Sequence, residues 1–286
     1  ETLFIIASNT KAMTTLLLAK LVDEGRLTWR TPVTSLMPGF RLGSESTTTQ
    51  VLVQHLICAC TGLPRKDMEF IFEFGGRLPS DVMDDLAATQ PTSGFGEMFQ
   101  YSNGLAAAAG FVGGHVLYPD LELGAAYDLA MQREVFDPLG MSETTFDFSR
   151  ALSGNHSSAH STSIDGVPST MSMDPNGAVI HMRPAGGAWS NVNDMLKYIS
   201  MELAGSEGGQ TYISQEALLA RRDPQVAVSQ HESYGMGLRV DNTYGVQVVH
   251  HGGVVFGHHS GMMWLPEHKI GAVVLTNGDP GSLIRS

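Results

Sequence analysis

The sequence predicts a mixed α/β (α+β) protein in which an antiparallel sheet, flanked by helices, joins a mostly helical lobe. Three observations carry this expectation. A short apolar run, Leu3-Phe4-Ile5-Ile6, gives way to helical periodicity, the middle of the chain repeats helical patterns, and from Tyr234 onward β-rich runs alternate with turns. We read 1–286 as a single domain, with about 30–185 forming the helical lobe and 1–29 plus 186–286 holding the sheet. A chain of 286 residues can bury a sizeable core, and 42% hydrophobic with 16% charged content describes a globular protein rather than a disordered one. The net charge of −12, with no Lys/Arg cluster, argues against a nucleic-acid partner and against attraction to anionic lipid.

Taken in order, Met13, Leu16, Leu17, Leu21 and Val22 recur at helical spacing, with Ser8 suited to the N-cap and Gly25 to the stop. Val51–Cys60 reads as a compact apolar helix stopped by Thr61-Gly62-Leu63-Pro64, followed by a short helix over Met68–Phe74. Within the former, Cys58 and Cys60 would point in different directions, which predicts buried thiols rather than a disulfide. Ser80 caps a further predicted helix, Leu105–Val116 reads as a buried helix of small residues, and Ala125–Val135 as another. That small-residue run, interrupted by Gly110, Gly113, Gly114 and His115, is too short to span a membrane. Ser149–Gly177 has no period and reads as an irregular segment, then Ser190-Asn191 feeds a helix over Met195–Leu203. Strands are predicted at Gly235–Val240, Tyr244–His250, Ser260–Leu265 and Ile270–Thr276. Both basic pairs, Arg65-Lys66 and Arg221-Arg222, read as solvated surface. No signal peptide is visible in the opening Glu1-Thr2, which leaves localisation undecided.

Three short motifs bear chemistry. Ser8 precedes Lys11 by three residues, so on a helix the hydroxyl and amine are neighbours, and an amine against an apolar helix root favours its neutral, proton-accepting form. Such a serine is a candidate acyl-transfer nucleophile, although S-x-x-K alone is as consistent with a cap. Tyr101-Ser102-Asn103 offers a phenol for proton transfer and an amide for a carbonyl or the lysine; of seven tyrosines, only this one has asparagine two residues on. His251-Gly252-Gly253 closes a predicted strand, where glycines let a substrate lie along the edge and a backbone N–H face an oxyanion. His250, His251, His258 and His259 do not make a metal site, because adjacent strand residues face opposite ways and no Cys/Asp cluster completes a ligand set. No G-x-S-x-G elbow occurs.

The order S-x-x-K, then Y-x-N about ninety residues on, then H-x-G near the end resembles the serine β-lactamase and penicillin-binding-protein superfamily. Leu21-Val22-Asp23-Glu24-Gly25-Arg26-Leu27, His55-Leu56-Ile57 through Pro64, Phe136-Asp137-Pro138-Leu139-Gly140-Met141, and Gly187-Ala188-Trp189-Ser190 with Asp194-Met195 are similar to further family anchors, so nearly the whole chain is covered. It is most similar to the class C branch, with its β-lactamase-fold carboxylesterases and D-amino-acid peptidases. The resemblance implies a β-lactamase/transpeptidase-like fold with Ser8 as acylated nucleophile, Lys11 and Tyr101 sharing acid–base work, and Asn103 orienting Lys11 and substrate. His251, Gly252 and Gly253 would bind substrate, and the backbone N–H groups of Ser8 and Val254 would form the oxyanion hole, without metal or cofactor. His251 stands where the lactamases place the lysine of K-T-G, so a partial charge replaces a permanent one. That shifts the expected substrate towards a small-molecule carboxylic ester or acyl amide, with weak β-lactam hydrolysis. A true β-lactamase or D-peptidase and a catalytically silent homologue stand as alternatives. Against the family pattern the chain lacks N-terminal strands and a C-terminal helix, which predicts a sheet edge open to pairing, as in a homo-oligomer.

Overall fold

Apolar side chains at the start of the chain bury against two different partners, and this sets the architecture. The computed structural model describes residues 1–72, 75–204, 206–207 and 210–278. Strand β1 (Phe4–Ile5) pairs antiparallel with Trp189–Ser190, in a two-stranded ribbon separate from the large sheet. A 3-10 turn, Ala7–Asn9, then leads into α1 (Thr10–Asp23), which stops before Gly25 as expected. Ser8 lies inside that turn, whereas Asn9 occupies the N-cap of α1 and makes no side-chain cap bond. The capping role expected of Ser8 is thereby corrected: the turn winds continuously into the helix, and its hydroxyl meets the Lys11 amine rather than a backbone N–H.

The expected apolar face of α1 is buried, and so are Lys11, Thr14 and Thr15 on its other sides. The helix is central because α2 (Asn103–Leu117), a turn at Arg183–Gly186 and a short helix, Gln215–Ala220, cover it all round. α2 can come close because its residues are small; a Cβ at Gly114 would sit 2.6 Å from the backbone nitrogen of Tyr127 in the next helix, α3 (Leu123–Met131). The Ser102 hydroxyl accepts from the Leu105 N–H and caps α2, which puts Tyr101 just outside its first turn and Asn103 just inside.

Several expectations are corrected. Val51–Cys60 holds only a 3-10 turn at Val53–Leu56, and Ala59 reverses the chain with φ 52°, so Cys58 and Cys60 meet in a disulfide. Their divergence was a property of a helix that does not form. Pro79 opens the helix Pro79–Ala87, and the Asp81 carboxylate, not Ser80, accepts from the N–H of Leu78. The segment predicted irregular after Ser149 contains a helical turn, Phe148–Ser153, and a hairpin of β2 (His160–Thr162) and β3 (Pro168–Thr170). Arg221 and Arg222 are buried against Glu202 rather than solvated. Of the helix predicted over Met68–Phe74, Asp67–Phe72 is observed; Glu73 and Phe74, like the segment 279–286, lie outside the described residues.

Among the described residues the large sheet has six antiparallel strands: Val226–Ala227, β4 (Glu232–Tyr234), β5 (Arg239–Asp241), β6 (Val248–Val255), β7 (His258–Leu265) and β8 (Ile270–Thr276), in chain order from one edge to the other. Its strands are more numerous and shorter near Tyr234 than expected. His251-Gly252-Gly253 lies within β6, not after it. β5 pairs with β6 only as far as His250, so from His251 onward that side of β6 has no strand against it among the described residues. One face of the sheet packs on α4 (Val192–Ala204) and on the Ala7–Asn9 turn.

Candidate active site

Ser8 is presented by a strained reversal. Ala7 has φ 46°, left-handed and uncommon for a residue with a Cβ, and it turns the chain sharply between β1 and α1. Ala7, Asn9 and Thr10 are buried, while Ser8 is half-buried. The turn is tied down on three sides. The Thr10 hydroxyl donates to the Ala7 carbonyl at 2.7 Å, Asn9 Nδ2 donates to Ser260 Oγ at 2.9 Å, and Ser260 in turn donates to the Ile6 carbonyl at 2.6 Å. Gly253 allows this packing, because a Cβ there would lie 2.2 Å from the Ile6 carbonyl oxygen. Asn9, Thr10 and Ser260 were missed in the sequence; for Asn9 and Thr10 the signal was two polar residues at the root of an apolar helix, and Ser260, on β7, carried none.

Lys11 joins the first two motifs. Its Nζ donates to Ser8 Oγ at 3.1 Å, to Asn103 Oδ1 at 2.7 Å and to the Ala185 carbonyl at 2.6 Å, and lies 4.7 Å from the centre of the Tyr101 ring. Burial pushes the ammonium down from its ordinary 10.5 to about 7; the Asp67 carboxylate opposes that fall and Arg65 adds to it. Asn103 is held from both ends, since its Nδ2 donates to Asp67 Oδ1 at 2.8 Å. Arg65 pairs with Asp67 and stacks 5.3 Å from the Tyr101 ring. Asp67 was not anticipated, because nothing in its spacing links it to Asn103.

Tyr101 is protonated. Burial raises its phenol well above the ordinary value, and the hydrogen bond with Ser8 works in the other direction. His251 packs 6.2 Å from the Tyr101 ring and 6.0 Å from Tyr234. Its Nδ1 lies 2.8 Å from the Gly252 carbonyl, which can only accept, so Nδ1 carries the hydrogen and Nε2 accepts from the Tyr234 hydroxyl at 3.2 Å. Burial first, then repulsion from Lys11, lowers His251 to about 3. The partial positive charge expected there is corrected: His251 is neutral near pH 7.

Two cavities meet at Ser8. One, of about 590 Å³, is lined by Phe99, Tyr101, Arg239, His251 and Gly252 and runs over the outer face of the sheet. The other, of about 410 Å³, lies under the β2–β3 hairpin against Asn103, Met171, Val179, Met182 and Phe256. Val254 borders both, on the unpaired side of β6. Among the described residues no three His, Cys, Asp or Glu side chains converge as a metal site.

A hydroxyl, a proton-accepting amine and a phenol in mutual contact, at the junction of two cavities, make a site suited to acyl transfer. The chain belongs to the beta-lactamase family, whose model matches residues 1–284. It is 24% identical over 297 residues to the unguisins hydrolase ungD' of Aspergillus campestris, covering 98% of this chain and 53% of that relative. The chain thus spans about half the length of that protein. The octameric penicillin-binding protein homologue from Pyrococcus abyssi superposes with a TM-score of 0.82 at 25% identity, over 100% of this chain and 64% of the other. EstCE1, a hydrolase with promiscuous acyltransferase activity, has the same fold, with a TM-score of 0.79 at 17% identity over 98% of this chain and 81% of the other. The antiparallel sheet with flanking helices is the β-lactamase/transpeptidase fold. No helix among the described residues is long and apolar enough to cross a membrane.

Proposed function

We propose that this protein is a serine hydrolase that cleaves carboxylic esters or small acyl amides through an acyl-enzyme on Ser8. The observation that carries the reading is the contact of Ser8 Oγ with an ammonium whose burial brings it to about 7, so that a large fraction is neutral at neutral pH. Neutral Lys11 takes the Ser8 proton as Oγ bonds to the acyl carbon. The bond to the leaving oxygen or nitrogen then breaks, with the proton delivered through the protonated Tyr101 phenol. Water cleaves the Ser8 ester in the second half, with Lys11 and Tyr101 returning the proton. Asn103 keeps Lys11 in line, and the Ser8 and Val254 N–H groups face the oxyanion.

Neutral His251 favours esters and neutral amides over β-lactams, because it supplies no cation for a substrate carboxylate and the guanidinium groups beside it, Arg239 and Arg65, are already paired with Glu232 and Asp67. The test compares the protein with Ser8→Ala on a p-nitrophenyl ester, a chromogenic cephalosporin and a fluorophosphonate probe. Ester turnover and labelling that vanish in the variant are expected. Equal rates in both proteins would overturn the hydrolase reading, and cephalosporin turnover without ester turnover would overturn the substrate. A homo-oligomer through β8, which pairs only with β7 among the described residues, is proposed on that free edge and on the octameric relative; light scattering at a monomer mass would refute it.

A further inference from the structure

Lys11 joins the first two motifs, and a residue outside all three joins the second to the third. Tyr234 ends β4 and is buried. β5 begins at Arg239, opposite His250, so among the described residues no strand runs beside His251 on that side. The Tyr234 phenol reaches His251 there and meets Nε2 at 3.2 Å. Its ring also packs 5.5 Å from Phe99 and, edge on, 6.2 Å from Tyr101. Tyr101 and His251 are themselves 6.2 Å apart, so Tyr234, Tyr101 and His251 close a triangle of rings.

The triangle leaves His251 no polar atom to offer a substrate. Its Nδ1–H donates to the Gly252 carbonyl and its Nε2 accepts from Tyr234, so the ring lines the 590 Å³ cavity with carbon. Burial raises the Tyr234 phenol well above its ordinary value, so it stays a donor, and His251 Nε2 is its one hydrogen-bond partner among the described residues. A second proton on the imidazole would turn the phenol hydrogen towards a buried position without an acceptor. Lys11, Arg239 and His250 also act against a positive charge there. With the phenol oxygen removed, Nε2 becomes a buried acceptor without a donor, and the ring is drawn towards the cavity, where water can donate. Tyr101 then loses the ring it packs against.

We infer that Tyr234 is a positioning residue for proton delivery: by donating to His251 Nε2 it keeps the imidazole turned inward, and the two rings together hold the Tyr101 phenol at Ser8. His251 is then a wall of the site rather than a ligand for substrate. This rests on the serine-hydrolase reading, in which the Ser8 proton passes by way of Lys11 and Tyr101 to the leaving atom as its bond to the acyl carbon breaks. That transfer matters unequally among esters. An alkoxide departs only with the proton, whereas p-nitrophenolate departs without it. A displaced Tyr101 therefore slows an alkyl ester and spares an activated one, which a general loss of structure would not do.

The experiment compares the unmodified protein with Tyr234→Phe, which keeps the ring and removes only the hydroxyl, on ethyl butyrate and p-nitrophenyl butyrate. We expect kcat/KM for ethyl butyrate to fall about tenfold and that for the p-nitrophenyl ester about twofold or less. In a His251→Phe background the same substitution should add no further loss on ethyl butyrate, because the hydroxyl acts through the imidazole. No fall, an equal fall on both esters, or the full loss in the His251→Phe background overturns the positioning role and leaves the hydrolase reading standing. No Ser8-dependent turnover of either ester defeats the hydrolase reading and the role with it. Nitrogen NMR of the histidine-labelled protein reads the contact without relying on Tyr234→Phe, the His251 signals being those missing from His251→Phe. A hydrogen on Nδ1 and a hydrogen-bonded lone pair on Nε2 from about pH 5.5 to about pH 8 support it; a hydrogen on Nε2 refutes it.

Discussion

Lys11 and Arg221 are both buried cations beside α1, and only Arg221 has a carboxylate in contact. Arg221 pairs with Glu202, and its guanidinium also donates to the Ala12 carbonyl at 3.1 Å, one residue beyond Lys11. Arg222 adds a second bond to Glu202, and the Tyr198 hydroxyl donates to Glu202 Oε1 at 2.5 Å while lying 3.1 Å from the Ala12 carbonyl. Burial would raise the Glu202 carboxyl, but the two guanidinium groups outweigh it and hold it below its ordinary value. Every charge in that cluster is locked. Lys11 meets only neutral acceptors, with Asp67 acting on it through Asn103. The same burial that is offset around Arg221 is only partly offset around Lys11, by Asp67, which leaves its ammonium well below the ordinary value. A buried pair fixes the helix; a buried charge without a pair can do chemistry on it.

The largest expected effect breaks the reactive side. Lys11→Met should lower kcat/KM by about 10⁴-fold, with no fall in the thermal midpoint, because a desolvated ammonium is replaced by a chain that prefers burial. Retention of a tenth of the activity would remove Lys11 from the proton path. On the locked side, Glu202→Gln should cost about 3–5 kcal/mol in urea unfolding by stranding two guanidinium groups, with kcat of the folded fraction little altered.

The pH dependence sharpens the contrast. kcat/KM should rise about tenfold per pH unit below about 7 and level above it, as Lys11 loses its proton. Because the folded pKa lies below the unfolded one, the unfolded chain binds more protons between about 7 and 10.5. Stability should therefore gain up to about 1.4 kcal/mol per pH unit from Lys11 across that window, with the full penalty present below it. Lys11→Met should abolish that contribution. The smallest effect is expected from Asp67→Asn: a few-fold lower kcat, with the acid limb moved to lower pH, since the carboxylate favours the ammonium form. An unmoved limb would sever Asp67 from Lys11.

The parts legible in the sequence were those in which spacing and packing agree. Ser8 and Lys11 sit one turn apart, and a run of Ala and Gly announced a close-packed α2. The rest needed contacts that spacing does not encode. Arg221 and Arg222 look like surface because their partner, Glu202, comes from a different helix. Asp67 reaches Asn103 across a loop. His251 could be placed, but its charge could not, since that depends on how deeply Tyr101, Tyr234 and Lys11 enclose it.

The Cys58–Cys60 bond has a bearing on the phenol. It closes a small ring around Ala59, whose carbonyl accepts from the Gln100 N–H at 2.8 Å, one residue before Tyr101. Both cysteines are buried in the apolar cluster that Phe99, Tyr101 and Tyr234 join. The Tyr101 phenol is thus held through Ala59 and Gln100 by a covalent ring as well as by the packing of its neighbours, so the loss of either cysteine would be felt at the phenol before it was felt at Ser8.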